Sequence, residues 1–325
     1  MSRRATLIEL RDYLVYVIAR LLICVLQTTS LRLCELFARA FAVLVTDWIP
    51  IRKQVLTENL TIAFPQWTAE QRRTCILGMW RHLILMLAEM AHARRKLHRT
   101  NWRSVVGVRN LRGMMTLLLE PRPKVIVSGH YGNFELAAYL LGVYGFEAYA
   151  VARTLDNPYL DRWLNDFRSA QGQHLIEKDG TAVEIAILLE KGSTLMLLAD
   201  QNAGPKGCWV EFFGKAASTH KAIGLFSLGN DAPLGVSYAR RLDGPLKYEL
   251  GLEARFDPRE SATPMDVTDV TRWFTDKLET IIRTEPDQYW WLHRRWKDER
   301  PVRVRKPKPA QPIVEIPPGT TSDSA

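Results

Sequence analysis

The pattern of hydrophobic and polar positions separates an apolar N-terminal stretch from a longer region of mixed character. Residues 13–26 read YLVYVIARLLICVL, an apolar run interrupted only by Arg20. This run is shorter than the roughly 20 apolar residues that a membrane-spanning helix needs. In residues 31–46, Arg32, Glu35 and Arg39 are spaced three and four apart and share one face of an amphipathic helix. The pattern predicts membrane-associating helices over residues 1–49.

Two other interpretations of this stretch stay open. A cleaved secretory signal would also begin basic and turn apolar, but the small-residue box Ala38-Arg39-Ala40 lies too deep in the chain for a cleavage site. Two ordinary core helices are also compatible, because Arg20 is accommodated at a protein surface as easily as by snorkelling to a membrane interface.

Beyond residue 50 the pattern is that of a globular domain. Thr68-Ala-Glu-Gln71 is a capping box and predicts a long helix from Thr68 to Ala93. Short apolar runs then alternate with helical stretches, and we expect strands at Val125–Ser128, Ala148–Ala152, Thr194–Ala199, Pro233–Ala239 and Lys247–Leu252. This alternation predicts an α/β domain over residues 50–300, with a mixed central sheet flanked by helices. The proline-rich, polar stretch 301–325 predicts a disordered tail.

Charge and composition narrow the possible functions. The formal net charge of +9 indicates an acidic partner, such as anionic lipid, an acidic carrier protein or nucleic acid. We expect no nucleic-acid partner, because the sequence contains neither a C₂H₂ finger nor a basic heptad helix. The four cysteines form no C-x-x-C pair, and the seven histidines form no H-E-x-x-H motif. We therefore expect neither a disulfide framework nor a metal site.

The segment VIVSGHYGNFELAAYLLG, residues 125–142, carries the candidate chemistry. A strand runs into a turn that holds His130, and Asn133 is a good N-cap for the apolar helix that follows. Glu135 then lies in the first helical turn, where the helix dipole favours an ionised carboxylate. Such a carboxylate can accept a proton from one imidazole nitrogen, which leaves the other nitrogen free to deprotonate an attacking hydroxyl. We predict His130 as general base and Glu135 as its partner.

The spacing of His130 and Glu135 is weak evidence by itself. His174 with Asp179 and His293 with Asp298 have the same spacing in this chain. Only the context of strand, glycine turn and helix distinguishes the first pair. A serine hydrolase is disfavoured, because the segment around Ser227 does not have the spacing of a G-x-S-x-G elbow. A non-catalytic lipid-binding membrane protein remains the alternative of another class.

Several segments resemble one family in the same order along the chain. SGHYGNFE is similar to the H-x-x-x-x-E block of the bacterial lipid A biosynthesis (lauroyl/myristoyl) acyltransferases, which belong to the lysophospholipid acyltransferase superfamily. Further similar segments, together spanning roughly Gln54 to Lys297, are NLTIAFP, ARTLDNPYLDRWLNDFR, ADQNAGPKGCWVEFFGKAAST and DQYWWLHRRWK.

The resemblance implies a glycerolphosphate acyltransferase-like fold and an O-acyltransferase activity. The acyl chain would pass from acyl carrier protein or acyl-coenzyme A to a hydroxyl of a lipid A precursor or related membrane glycolipid, with no cofactor besides this thioester. A lysophospholipid or other membrane lipid is the alternative acceptor. The implied location is the cytoplasmic face of a bacterial inner membrane, at the membrane surface.

The resemblance also carries over four substrate-binding residues. Arg168 and Asp200 match positions that shape the donor or acceptor site, and Arg153 and Gln201 are further candidates. The aromatic and basic cluster from Trp290 to Trp296 suits a membrane interface or an acidic carrier, or equally the packed last helix of the domain.

Overall fold

The structure is a computed structural model that describes residues 3–49, 51–177 and 182–297. The predicted tail at 301–325 lies outside the described residues. Within them the helices are α1 (Arg3–Thr28), α2 (Leu31–Val43), α3 (Lys53–Ala63), α4 (Ala69–Lys96), α5 (Leu111–Leu118), α6 (Phe134–Val143), α7 (Pro158–Ser169), α8 (Ala182–Glu190), α9 (Ala222–Gly229) and α10 (Val267–Thr284). A π-helical turn, Leu44–Trp48, follows α2.

The strands of the described residues form one large sheet and a separate hairpin. They are β1 (Val106–Arg109), β2 (Lys124–Ser128), β3 (Ala148–Ala152), β4 (Gln173–Glu177), β5 (Thr194–Leu198), β6 (Cys208–Phe212), β7 (Lys215–Thr219), β8 (Leu234–Arg241) and β9 (Tyr248–Phe256). The sheet has the order β1-β9-β8-β2-β5-β3-β4, and β6 pairs with β7. Neighbours in the sheet are parallel except β8 and β9. The predicted mixed α/β sheet is confirmed.

Burial explains which strands were predictable. All five residues of β2 are buried, as the continuous apolar run of a central parallel strand requires. The strands β1 and β4 occupy the two edges of the sheet, and each has only four or five residues of mixed polarity. Neither they nor the β6–β7 hairpin were predicted, because short and partly polar strands have no strong period-2 or apolar signal.

The predicted N-terminal helices are confirmed as helices, and they differ in packing. The helix α2 buries Cys34, Ala38 and Ala42 as it packs along α4. By contrast, α1 directs many apolar side chains to the outside, and Leu21 and Leu22 are 62% and 60% exposed. So much exposed apolar surface on one helix is typical of an interaction site for lipid or protein.

The predicted capping box at the start of α4 is confirmed by reciprocal hydrogen bonds between Thr68 and Gln71. Among the described residues, α4 has the length and composition of a membrane-crossing helix, but 67% of its most apolar window is buried inside the protein. It is therefore best described as the core helix against which the N-terminal helices and the site pack.

A buried ionic network joins α4 to the end of β8. The carboxylate of Glu89 is fully buried and accepts two hydrogen bonds from Arg241, at 3.0 and 2.6 Å. The hydroxyl of Tyr248 and the backbone N–H of Leu246 also donate to Glu89. Arg241 donates in addition to Nδ1 of His82. Because each charge has partners on several sides, removing one would leave an uncompensated charge in the core.

We expect Glu89→Gln to lower the free energy of unfolding by about 3 kcal/mol or more, because it leaves Arg241 charged and buried. Urea denaturation of the full chain in detergent measures this loss. Arg272→Gln is the matched control, since its pair with Asp269 is exposed and exposed pairs are worth about 0–1 kcal/mol. Equal stability of the two variants would show that the network is not stabilising.

Candidate active site

The site begins where two neighbouring parallel strands end. Strands β2 and β5 are paired so that Ser128 lies opposite Leu198, and the N–H of Ala199 donates to the Ser128 carbonyl at 2.9 Å. His130 and Asp200 each follow two residues beyond this pair. The carboxyl edge of a parallel sheet is where α/β proteins place their ligands.

His130 and Asp200 make two hydrogen bonds with each other. Nδ1 of the His130 ring is 2.8 Å from Oδ1 of Asp200, and the His130 backbone N–H donates to Oδ2 at 2.8 Å. A Cβ atom added to Gly129 would lie only 3.3 Å from Oδ2 of Asp200, so the glycine permits this close approach. The imidazole is thereby held in position and orientation by one buried carboxylate.

The contact with Asp200 determines the state of the other ring nitrogen. With the Nδ1 proton donated to the carboxylate, Nε2 of a neutral imidazole is an acceptor. The side-chain amide of Gln201, an exposed residue, lies 3.3 Å from Nε2 and donates to it. The rings of Phe134 and Trp290 lie edge-on to the imidazole, with centroids at 4.9 and 5.5 Å. Nε2 therefore faces the side from which a hydroxyl could approach.

The pair has coupled electrostatics. Burial lowers the pKa of His130, but the charge and hydrogen bond of Asp200, with the more distant charge of Glu135, more than offset this and raise the pKa above 6.5. Burial raises the pKa of Asp200, yet the charge of His130 and the two hydrogen bonds lower it to about 2. A carboxylate that stays ionised beside an imidazole of raised pKa is the arrangement of a general base with its orienting acid.

Glu135 lies in the first turn of α6, as predicted. The sequence also predicted that Glu135 contacts the imidazole, but its carboxylate binds another residue. Its two carboxylate oxygens accept hydrogen bonds from Arg168 at 3.0 and 2.6 Å, and both side chains are largely buried. Asp200 occupies the position at Nδ1 that we had expected for Glu135. The reason is topological, because the parallel register brings the end of β5 beside His130 while Glu135 is drawn to Arg168 at the end of α7.

The buried network of His82, Glu89 and Tyr248 also contacts the turn between His130 and α6. Gly132 has φ +60, and a Cβ there would lie 1.9 Å from the Ala239 carbonyl oxygen, so no other residue fits. Because Arg241 can only donate, Nδ1 of His82 accepts, and Nε2 of His82 donates to the Gly132 carbonyl at 3.0 Å. The N-cap Asn133 donates to Glu89 and to Tyr248.

A C-terminal strap, residues 289–295, contacts both the turn that carries His130 and the residues that follow Asp200. The N–H of Trp290 donates to the His130 carbonyl, and the N–H of Asn202 donates to Nε2 of His293 at 2.8 Å. Arg295 is buried and donates to the carbonyls of Gln201 and Ser218. Burial lowers the pKa of His293 to about 4, so this acceptor stays neutral.

These roles of His82, His293 and Arg295 were not found from the sequence. The aromatic and basic composition of the strap was noted, but the predicted alternative of a packed last helix is wrong, because residues 290–297 are irregular. The signal for His293 and Arg295 was their position in the last family-like segment, whereas His82 lies outside the family-like segments.

The remaining candidates lie at different distances from the imidazole. Gln201 and Asp200 contact it directly, and Arg168 is connected to the site through Glu135. Arg153 follows β3, has a side chain 79% exposed, and pairs with Asp156. The hydrogen bonds and ion pairs of the described residues do not link Arg153 to His130. Over the same residues, no group of three or more His, Cys, Asp or Glu is arranged to hold a metal ion.

The fold and the site define an α/β protein with a hydrogen-bonded imidazole–carboxylate pair at the carboxyl edge of its sheet. The family model of the bacterial lipid A biosynthesis acyltransferases matches residues 2–298, and the chain belongs to that family of acyltransferases.

Curated relatives support the same family. The chain is 27% identical over 83% of its length to the lipid A biosynthesis palmitoleoyltransferase of Escherichia coli, covering 86% of that protein. It is 26% identical over 76% of its length to the lauroyltransferase of the same organism, covering 79% of it. A solved 1-acyl-sn-glycerophosphate acyltransferase from Thermotoga maritima is similar with TM-score 0.38 and 13% identity, over 79% of this chain and 96% of that one.

We expect Asp200→Asn to lower the pKa of His130, because burial persists while the carboxylate charge is lost. The imidazole is a base only when neutral, so the acidic limb of kcat/KM should move to lower pH than in the parent. Titration of the histidine ring signals by NMR, with His130→Ala for assignment, checks the shift. Asp156→Asn, which removes an exposed carboxylate, should leave the titration unchanged; an unmoved His130 in Asp200→Asn would contradict the assignment.

Proposed function

We propose that this acyltransferase moves a fatty acyl chain from an acyl thioester, on acyl carrier protein or coenzyme A, to a hydroxyl of a lipid A precursor or related membrane glycolipid. The observation that carries the proposal is the His130–Asp200 pair with Nε2 turned to the accessible side of the site. The curated relatives are named as lipid A palmitoleoyl- and lauroyltransferases, which supports this acceptor class.

The proposed reaction needs no covalent enzyme intermediate. Nε2 of His130 accepts the proton of the acceptor hydroxyl as its oxygen attacks the thioester carbonyl carbon. The carbonyl oxygen becomes an oxyanion in a tetrahedral intermediate, while Asp200 stabilises the imidazolium. When the intermediate collapses, the C–S bond breaks, and the leaving thiolate takes the proton from Nε2. The products are the new ester and a free thiol.

The oxyanion needs a donor, and several backbone candidates are already used. The N–H of His130 donates to Asp200, that of Gly132 to the Gln288 carbonyl, and that of Asn133 to the Ala239 carbonyl. The amide of Gln201 lies beside Nε2 and is exposed, so we assign it as the oxyanion donor once the acceptor hydroxyl takes over the contact with Nε2.

We further propose that the protein acts at the cytoplasmic face of the inner membrane. The support is the outward-facing apolar surface of α1, where Leu14, Leu21 and Leu22 are each more than half exposed. This surface is joined to the catalytic region, because Asn157 at the start of α7 donates to the Asp12 carbonyl in α1. The same helix α7 carries Arg168.

Transfer of a labelled acyl chain to a lipid A precursor in membranes tests the reaction. We expect His130→Ala to lower kcat by about 10³-fold or more, because the base is lost. Gln201→Ala should lower kcat by about 10²-fold with little change in KM, as for loss of one oxyanion donor. Lys191→Gln, which changes an exposed lysine after α8, is the control. Full transfer by a correctly folded His130→Ala protein would refute the mechanism.

The pair of Glu135 and Arg168 is expected to act as a unit. Removing either partner leaves the other charged and largely buried, so Glu135→Gln and Arg168→Gln should each lower kcat/KM by about tenfold or more. The double variant should be no worse than the poorer single variant, since the two side chains share one interaction. Additive losses in kinetic measurements would instead show that each residue contacts substrate independently.

A further inference from the structure

A cavity of about 420 Å³ lies on the outer side of the C-terminal strap and has no role in the chemistry above. One wall is α3, and Lys215 at the start of β7 and the last described residues form the others. Its charged and aromatic lining residues are Lys215, Arg294, Trp296, Lys297 and Glu58. This volume lies in the range of small-ligand sites.

The three cationic side chains at this cavity outnumber the one carboxylate among its described lining residues. The ion pairs of the described residues include none made by Lys215, Arg294 or Lys297. Glu58, the one acid in the lining, accepts a hydrogen bond from Gln54. Three cations against one carboxylate around one concavity make a local site of positive potential.

The walls of the cavity are built from ordered contacts. Asn59 of α3 donates to the carbonyls of Trp291 and His293 at 2.7 Å each, which ties the helix to the strap. The indole N–H of Trp296 donates to the Lys215 carbonyl at 3.4 Å, and its ring stacks on Phe212. Arg295 points into the protein and donates to the carbonyl of Gln201, the residue after Asp200. Its two neighbours in the chain, Arg294 and Trp296, line the cavity.

The same strap limits the distance between the cavity and the His130 imidazole. The Trp290 ring is 5.5 Å from the His130 ring, centroid to centroid. Four residues of chain from Trp290 to Arg294 span at most about 14 Å. This limit keeps the cavity near the imidazole, within reach of a long substrate whose reacting carbon is at His130.

We propose that this cationic cavity binds a phosphate ester carried by one of the two substrates. Guanidinium and ammonium groups around a pocket are the donors that phosphate oxygens require, and Arg adds a bidentate fork. The inference rests on the proposed function, because that reaction supplies two sources of the same chemistry. One is the phosphate of a phosphopantetheine thioester, and the other is a phosphate on the glycolipid acceptor.

Equilibrium binding to the full-length protein in a zwitterionic detergent tests the proposal without turnover. The probes are two matched pairs: an acyl-phosphopantetheine thioester with its phosphate-free pantetheine counterpart, and a glycolipid phosphate with the same glycolipid lacking phosphate. In the parent, the phosphate should tighten binding by about tenfold or more in one pair, as expected for charge-assisted hydrogen bonds. The combined variant Lys215→Gln, Arg294→Gln, Lys297→Gln should abolish this preference in that pair.

The control variant Lys191→Gln, Arg99→Gln, Arg112→Gln removes the same charge from exposed cations elsewhere. Loss of the preference in the thioester pair assigns the phosphate to the donor, and loss in the glycolipid pair assigns it to the acceptor. An unchanged preference in both pairs, no preference in the parent, or an equal loss in the control overturns the proposal. Acyl transfer by the same variants is measured separately. An unchanged binding preference together with normal transfer would refute the phosphate site and leave the proposed function intact.

Discussion

The register between β2 and β5 is the constraint on which the site depends. Because Ser128 is paired with Leu198, the residues two positions further on emerge side by side, and Asp200 can accept from both the ring and the backbone of His130. A slip of one residue would turn every side chain of the strand to the opposite face of the sheet. Pairing with β5 on one side and β8 on the other holds β2 in this register, and all five residues of β2 are buried. The packing of this strand and the geometry of the His130–Asp200 pair are therefore one requirement.

The same principle explains why so many buried polar groups surround the site. A turn with a positive φ at Gly132 and an N-cap at Asn133 is not held by apolar packing alone, because its N–H and carbonyl groups need partners away from water. His82 of α4 donates to the Gly132 carbonyl, and Trp290 of the C-terminal strap donates to the His130 carbonyl. Glu89 of α4 accepts from the side-chain amide of Asn133. Both supports come from elements distant in sequence. The turn that carries His130 is thus held by the assembled fold rather than by its own residues alone.

The sequence predicted what depends on local pattern. His130 in a turn, Asn133 as N-cap, Glu135 in the first helical turn and the central apolar strands all follow from neighbours within a few residues, and the structure has them. The partners of these groups could not be predicted in the same way. That Asp200 holds the imidazole requires knowledge that β5 lies beside β2, and that Glu135 binds Arg168 requires the placement of α7 on α6. Asp200 was selected by its match to a family position, as a substrate-binding residue and not as the partner of His130.

His130 is bound by Asp200 and not by Glu135, so the two carboxylates affect the site in different ways. Asp200 is nearly inaccessible and bound to the ring, so its charge acts chiefly on the protonation of His130. Glu135 has its two oxygens occupied by Arg168 and influences His130 only by its charge. One carboxylate thus sets the tautomer, while the other keeps a guanidinium ordered at the end of α7. Because α7 also contacts α1 through Asn157, the position of Arg168 is coupled to the helix that exposes the apolar surface.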